Sequence, residues 1–148
     1  MEAQQDFKEL LGLFNAHKVE YIIVGAYALA YHGAPRFTGD IDIFVKPSVK
    51  NAKKIMSALS DFGFGSLNLT VEDFQNPDSV IQLGVPPVRI DIITSLTGVT
   101  WKEADKGKVN GLYGDIPVHF LGKKQFIANK SAIGRKKDLA DIESLGEE

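Results

Sequence analysis

Two aspartates separated by one residue, Asp40-Ile41-Asp42, open a run that continues Ile43-Phe44-Val45. In a strand, residues i and i+2 point to the same side, so these carboxylates stand together while Ile41, Ile43 and Val45 face a core. Like charges at that separation repel, and burying them is costly without a cation. A hard divalent ion, Mg²⁺ or Mn²⁺, relieves the repulsion with oxygen ligands. The competing reading is a pair of solvated loop acids, but the apolar strand behind them argues against it. A second run, Val88-Arg89-Ile90-Asp91-Ile92-Ile93, carries one carboxylate among β-branched residues. Alternation puts Arg89, Asp91 and Ile93 on one face and Val88, Ile90 and Ile92 on the other. Beside the first run, Asp91 would complete a three-carboxylate, two-metal site suited to in-line phosphoryl transfer. On an edge strand it would instead pair with Arg89 or a lysine.

Two further features bear on an anion. Gly25 ends the apolar run Tyr21-Ile22-Ile23-Val24 and opens an alanine-rich stretch. A glycine at a strand-to-helix turn lets a phosphate approach the backbone, beside the free N–H groups of a helix start. A glycine needed only for a tight turn is the competing reading. The stretch Lys123 to Lys137 holds six basic residues and no acid, whereas Asp138 to Glu148 holds five acids and no base. Most such lysines form a solvated helix face. Lys130 and Arg135 flank Gly134, where a side chain can reach back into a cleft, and we expect them to serve a bound anion rather than folding. Arg36 stands before the paired acids, to neutralise them or meet a phosphate, and Thr38 suits a hydrogen bond in the turn presenting Asp40. Tyr27, Tyr31 and Phe37 are of the type that stacks on a base, with core packing as the commoner use. His17, His32 and His119 lack metal-ligand spacing.

The elements that must position these groups can be read from periodicity. Phe7, Leu10, Leu11 and Phe14 define the face of a first helix capped by Asp6. Strands follow at Tyr21–Val24 and Ile41–Val45, with a helix from Ala26 to Tyr31 between them that stops at Gly33 and Pro35. Ser48 caps a helix whose buried stripe is Ala52, Ile55, Met56, Leu59 and Phe62. Thr70-Val71-Glu72-Asp73 is a capping-box start. Strands at Ser79–Val85 and Val88–Thr94 are separated by Pro86-Pro87, which cannot donate to a ladder. A short helix at Trp101–Gly107 precedes a hairpin, Val109–Leu112 and Ile116–Leu121, around Tyr113-Gly114-Asp115. Helices at Lys123–Ala132 and Lys136–Leu145 close the chain, broken at Gly134 and capped by Gly146. The pattern predicts an α+β (α/β) fold, a small mixed β-sheet flanked by helices.

Composition narrows the class. The 148 residues correspond to one domain, spanning 1–148. A 44% hydrophobic and 24% charged composition is that of an ordinary folded domain. A net charge of −2 argues against nucleic-acid binding by bulk charge. The absence of cysteine excludes disulfides and thiol catalysis. The polar start Met-Glu-Ala-Gln-Gln-Asp is unlike a signal peptide, and the run Tyr21 to Tyr31 is too short to span a bilayer, so a cytoplasmic location is expected.

Taken together, Val24-Gly25-Ala26-Tyr27-Ala28, then Gly33-x-Pro35-Arg36-x-Thr38-x-Asp40-Ile41-Asp42-Ile43, then Arg89-Ile90-Asp91, resemble the nucleotidyltransferase superfamily of the DNA polymerase β type. The tail Phe126-Ile127-Ala128-Asn129-Lys130 to Gly134-Arg135-x-Lys137-Asp138-Leu139-Ala140-Asp141-Ile142 is similar to the closing helices of its minimal bacterial branch, which includes AbiEii-like toxins of toxin–antitoxin systems. The resemblance spans about residues 20 to 145. It implies a nucleotidyltransferase-like fold that moves a nucleoside monophosphate from an NTP to a hydroxyl on a tRNA 3′ end, a protein or a small alcohol. It further implies that Gly25, Ala26 and the following helix hold the triphosphate. Asp40, Asp42 and Asp91 bind Mg²⁺ or Mn²⁺, Asp91 also activates the attacking hydroxyl, and Lys130 meets the phosphates. A cognate antitoxin would be the protein partner. The family places a second glycine or a phosphate-contacting serine where this chain has Ala26. The alternative is therefore a weak or inactive member of the same fold that binds a nucleotide or a partner protein.

Overall fold

In the computed structural model, which describes residues 3–35, 38–64, 68–85 and 88–146, a six-stranded mixed sheet runs through the molecule in the order β3-β4-β2-β1-β6-β5. Its strands are β1 (Tyr21–Val24), β2 (Asp40–Val45), β3 (Val80–Leu83), β4 (Arg89–Ile93), β5 (Val109–Tyr113) and β6 (Ile116–Phe120). The α-helices are α1 (Gln5–Ala16), α2 (Gly25–Tyr31), α3 (Val49–Leu59), α4 (Val71–Gln75), α5 (Trp101–Gly107), α6 (Lys123–Ile133) and α7 (Lys136–Ser144). The expected α+β architecture is the one observed. No helix among the described residues is long and apolar enough to cross a membrane.

The sheet centre is apolar where the alternation requires it. Ile22, Ile23, Ile41, Ile43, Val45, Ile90 and Ile92 are essentially inaccessible to solvent. β2 pairs antiparallel with β1 and parallel with β4, so the C-terminal end of β1 meets the N-terminal ends of the other two. β4 is an interior strand, covered by β3 on its other side. Asp91 therefore does not lie on a sheet edge.

Several local expectations change in detail. The side chain of Gln4, rather than Asp6, caps α1, accepting a hydrogen bond from the Asp6 amide at 2.6 Å. Asp6 instead sits in the first turn, where its charge complements the helix dipole. The buried stripe of α3 ends at Leu59. Met56, within α3, is only partly buried, and so is Phe62, because there the chain has left the helix through an irregular turn at Ser60–Phe64 in which Gly63 takes a φ of 103°. The Ser48 cap, the Thr70 capping box and the left-handed Gly134 stand where the sequence puts them. Pro86-Pro87 lie outside the described residues, although β3 and β4 on either side do pair antiparallel. Trp101 packs its ring edge-on against Phe44 and is partly buried against the core.

Asn51 ties this framework together at the end of β2 remote from the acids. Its carboxamide accepts from the Glu20 amide at 2.8 Å and donates to the Glu20 and Lys46 carbonyls at 3.0 Å each. It thereby joins α3 to the start of β1 and the end of β2. Because Asn51 is 1% exposed, Asn51→Ala should leave the Glu20 N–H without this partner and destabilise the protein by about 2 kcal/mol. In urea unfolding we expect a lower midpoint with an unchanged slope. An unchanged midpoint would mean that water replaces the carboxamide freely.

Candidate active site

Asp40 and Asp42 project from the same side of β2, and the parallel register sets Asp42 directly opposite Asp91 and Asp40 opposite Arg89. Each of the three aspartates offers one carboxylate oxygen, and these oxygens all lie within 4.8 Å of one another. Two independent facts combine here: the i, i+2 spacing, which belongs to the sequence, and the lateral pairing of β2 with β4, which belongs to the fold. Asp91 is the most deeply placed, at 6% exposure, whereas the other two are half-buried.

The neighbouring strand shapes the same spot. Val24 pairs with Asp42, so Gly25 turns off the sheet immediately beside the Asp42 carboxylate. Gly25 has a φ of +65°, and a Cβ there would collide with that carboxylate. Glycine is thus required both by the left-handed backbone and by the close approach. Thr38 orients the other acid of the pair: its hydroxyl donates to Asp40 Oδ1 at 2.8 Å.

The electrostatics record the crowding. The Asp42 pKa is pushed up to about 6, chiefly by burial, then by the charges of Asp40 and Asp91 and a hydrogen bond with Asp91, while the Lys130 charge acts in the opposite direction. Arg89 forks onto Asp91, donating from Nε to Oδ1 at 3.0 Å and from its terminal nitrogen to Oδ2 at 2.9 Å, and its Nε lies 4.0 Å from Asp40. The sequence offered convergence of the acids and pairing of Asp91 with Arg89 as alternatives; the fold realises both at once.

A polar cleft of about 330 Å³ opens over the pair. Gly25, Ala26, Thr38, Asp40 and Asp42 form one side, and Lys130, Arg135 and Lys137 from the closing helices form the other. Lys130 and Arg135 are also engaged in structure. The Lys130 ammonium lies 3.3 Å from Asp138 and 3.4 Å from Asp141, at 7% exposure for the residue. Arg135 donates from Nε to Asp138 Oδ2 at 2.6 Å, and its backbone N–H donates to the same oxygen. Arg135, followed by Lys130, holds the Asp138 carboxyl well below the usual carboxylate range. The expectation that these two cations serve an anion and not folding therefore changes: Lys130 ties α6 to α7, and Arg135 caps the start of α7 through Asp138.

Other expected residues lie elsewhere. Tyr27 packs edge-on against Phe7 and Tyr113 in the core, within the buried run Ala26–Leu29 of α2. Tyr31 stacks on Phe120 at 4.4 Å, in a separate apolar cleft. His32 meets the Leu121 carbonyl at 2.7 Å. Arg36 and Phe37 lie outside the described residues. The sequence reading gave no site role to Arg89, Lys137, Asp138 or Asp141. Arg89 was detectable, since it shares the face of Asp91 at i−2. Asp138 carried a weaker signal, at i+3 from Arg135 and i+8 from Lys130.

Three carboxylate oxygens at this spacing form a donor set for hard divalent cations, and burial together with the neighbouring acids disfavours the charged form of Asp42. The residues present fit such ions. No protein-family model and no curated protein sequence matches the chain. Among solved structures it is similar to a candidate nucleotidyltransferase from Thermotoga maritima, with a TM-score of 0.61 and 13% identity over 96% of this chain and 89% of the other. It is also similar to an antigenic nucleotidyltransferase-like protein from Paracoccidioides brasiliensis, with a TM-score of 0.50 and 14% identity over 97% of this chain and 75% of the other. At such identities the shared feature is the fold.

The pH dependence of Asp42 provides a test. With its pKa raised from 3.8 unfolded to about 6 folded, the metal-free protein loses stability as pH climbs through that window. Asp42→Asn removes the titration. At pH 7 it should be more stable than wild type by about 1–3 kcal/mol, at about 1.4 kcal/mol per pKa unit, with the gain vanishing below about pH 4. Its Mn²⁺ affinity should fall. Thermal melts across pH with a Mn²⁺ titration check this, and a variant destabilised at pH 7 with unchanged Mn²⁺ affinity would contradict it.

Proposed function

We propose that this protein is a metal-dependent nucleotidyltransferase that moves a nucleoside monophosphate from an NTP to a hydroxyl acceptor. The observation that carries the reading is the convergence of Asp40, Asp42 and Asp91 beside Gly25, at the mouth of a polar cleft whose far wall is cationic. The fold shared with the two nucleotidyltransferase-like structures supports it.

In this reading Asp40 and Asp42 hold Mg²⁺ or Mn²⁺, and Asp91 completes the ligand set. When bound, the ions neutralise the triphosphate and stabilise charge on the attacking and leaving oxygens. Thr38 fixes the Asp40 rotamer through its hydrogen bond. Gly25 and Ala26 present backbone to the phosphates without side-chain obstruction. Lys130 and Arg135, already oriented by Asp138 and Asp141, offer positive charge to the donor. Asp91 takes the proton from the acceptor hydroxyl. The hydroxyl oxygen bonds to the α-phosphorus, the bond to the β-phosphate breaks, and pyrophosphate leaves. Arg36 belongs to this reading as a phosphate contact.

The finer parts rest on the sequence resemblance: an RNA 3′ end, a protein or a small alcohol as acceptor, a cytoplasmic setting, and a toxin role with a cognate antitoxin. A second reading, binding of a nucleotide or partner without transfer, is favoured by Ala26, which lines the cleft where the family's serine would contact phosphate.

Incubation with labelled NTPs and Mg²⁺ in the presence of total RNA or lysate tests the proposal and reveals donor and acceptor together. Asp91→Asn should reduce transfer by at least about 100-fold, the scale of a lost general base, while NTP binding persists. NTP binding with no transfer to any acceptor would favour the second reading.

A further inference from the structure

The carboxylate cluster carries its own cation. Among the described residues, Lys130 and Arg135 are ion-paired with Asp138 and Asp141 rather than with the triad, although the Lys130 charge is felt at Asp42. Arg89 differs. The ion pairs of its guanidinium are with Asp91, at 2.9 Å, and with Asp40, at 4.0 Å, both members of the triad. Its fork engages both oxygens of Asp91, the acid at which the β4 strand meets the β2 pair. The adjacent backbone holds it in register, since Arg89 itself pairs with Asp40.

A guanidinium on both oxygens of a carboxylate takes one lone-pair site on each and obstructs chelation on that side, and its charge repels any cation approaching within a few ångströms. Removing it would leave three acids within 4.8 Å without their fixed counter-charge. We propose that Arg89 is a built-in counter-ion that competes with divalent metal for Asp91, keeping that position weakly occupied until an anionic nucleotide supplies offsetting negative charge. This inference rests on the transferase reading of the site and adds its regulation: the third carboxylate is withheld from metal while no donor is present. Arg89 is thus a positioning residue that acts through Asp91.

The test is Mn²⁺ binding to the whole protein, without nucleotide, followed by electron paramagnetic resonance for wild type, Arg89→Met and Arg89→Lys. Arg89→Met keeps the stem and removes the charge, and it should bind Mn²⁺ at least about tenfold more tightly. Arg89→Lys keeps the charge without the fork and should fall between. If Arg89→Met does not fold, Arg89→Lys carries the test alone, with tighter Mn²⁺ binding than wild type still expected. Adding a non-hydrolysable NTP analogue should tighten Mn²⁺ binding in wild type much more than in either variant. Equal or weaker Mn²⁺ binding by the variants overturns the inference, even where wild type transfers nucleotide normally. Conversely, tighter binding in the variants alongside a wild type that transfers nothing sustains the inference and removes the transferase reading. Absence of Mn²⁺ binding in all three proteins overturns both.

Discussion

Carboxylates brought within a few ångströms in a half-buried place repel one another, and much of this chain is arranged around that repulsion. The three acids do not meet by chance exposure. They stand at one lateral position of a sheet whose flanking residues, Ile41, Ile43, Ile90 and Ile92, are fully sequestered. The register that buries those isoleucines is the register that aligns Asp42 with Asp91, because alternation forces every second residue to the opposite face. Slipping the pairing by one residue would expose the core and scatter the acids together. Core burial thus holds the acids in proximity against their mutual repulsion.

Around the acids, the surrounding elements each answer a different part of the same electrostatic problem. Gly25 gives up a side chain so that α2 can begin against the Asp42 carboxylate. Thr38 donates to Asp40, and Arg89 donates twice to Asp91. The closing helices treat their own charges differently. There a nearly inaccessible Asp138 accepts from both Lys130 and Arg135, and Asp141 adds a second acid to Lys130. A buried lysine is tolerated because its partners are buried with it. These ion pairs fix where two cations stand, among the residues that line the cleft with the acids.

The similarity to nucleotidyltransferase-like structures extends over nearly the whole chain, at sequence identities of 13% and 14%. Such a combination follows from physics. The sheet order and the strand-to-helix turn are compatible with many apolar side chains, while the polar constellation occupies few positions. The reaction proposed for this site therefore rests on the acids and their neighbours rather than on the fold.

What could be read from the chain alone was local. Strand and helix periods, the capping residues Ser48 and Thr70, the break at Gly134 and the same-face pairing of Asp40 with Asp42 all follow from residues within one turn or one strand of each other. The α+β class follows from their order. The destination of Asp91 did not, because strand adjacency is set by how apolar faces pack over the 48 positions that intervene between Asp42 and Asp91. For the same reason, sequence could not separate convergence of the acids from an Arg89 pairing, nor show that both occur. Lys130 read as a cation beside a helix break, free to serve an anion in a cleft, and only the return of α7 along α6 brought Asp138 and Asp141 onto it. Side-chain types and spacings determined which chemistry was available, while long-range packing decided which charges would meet, since only the folded chain sets distances between residues remote in sequence.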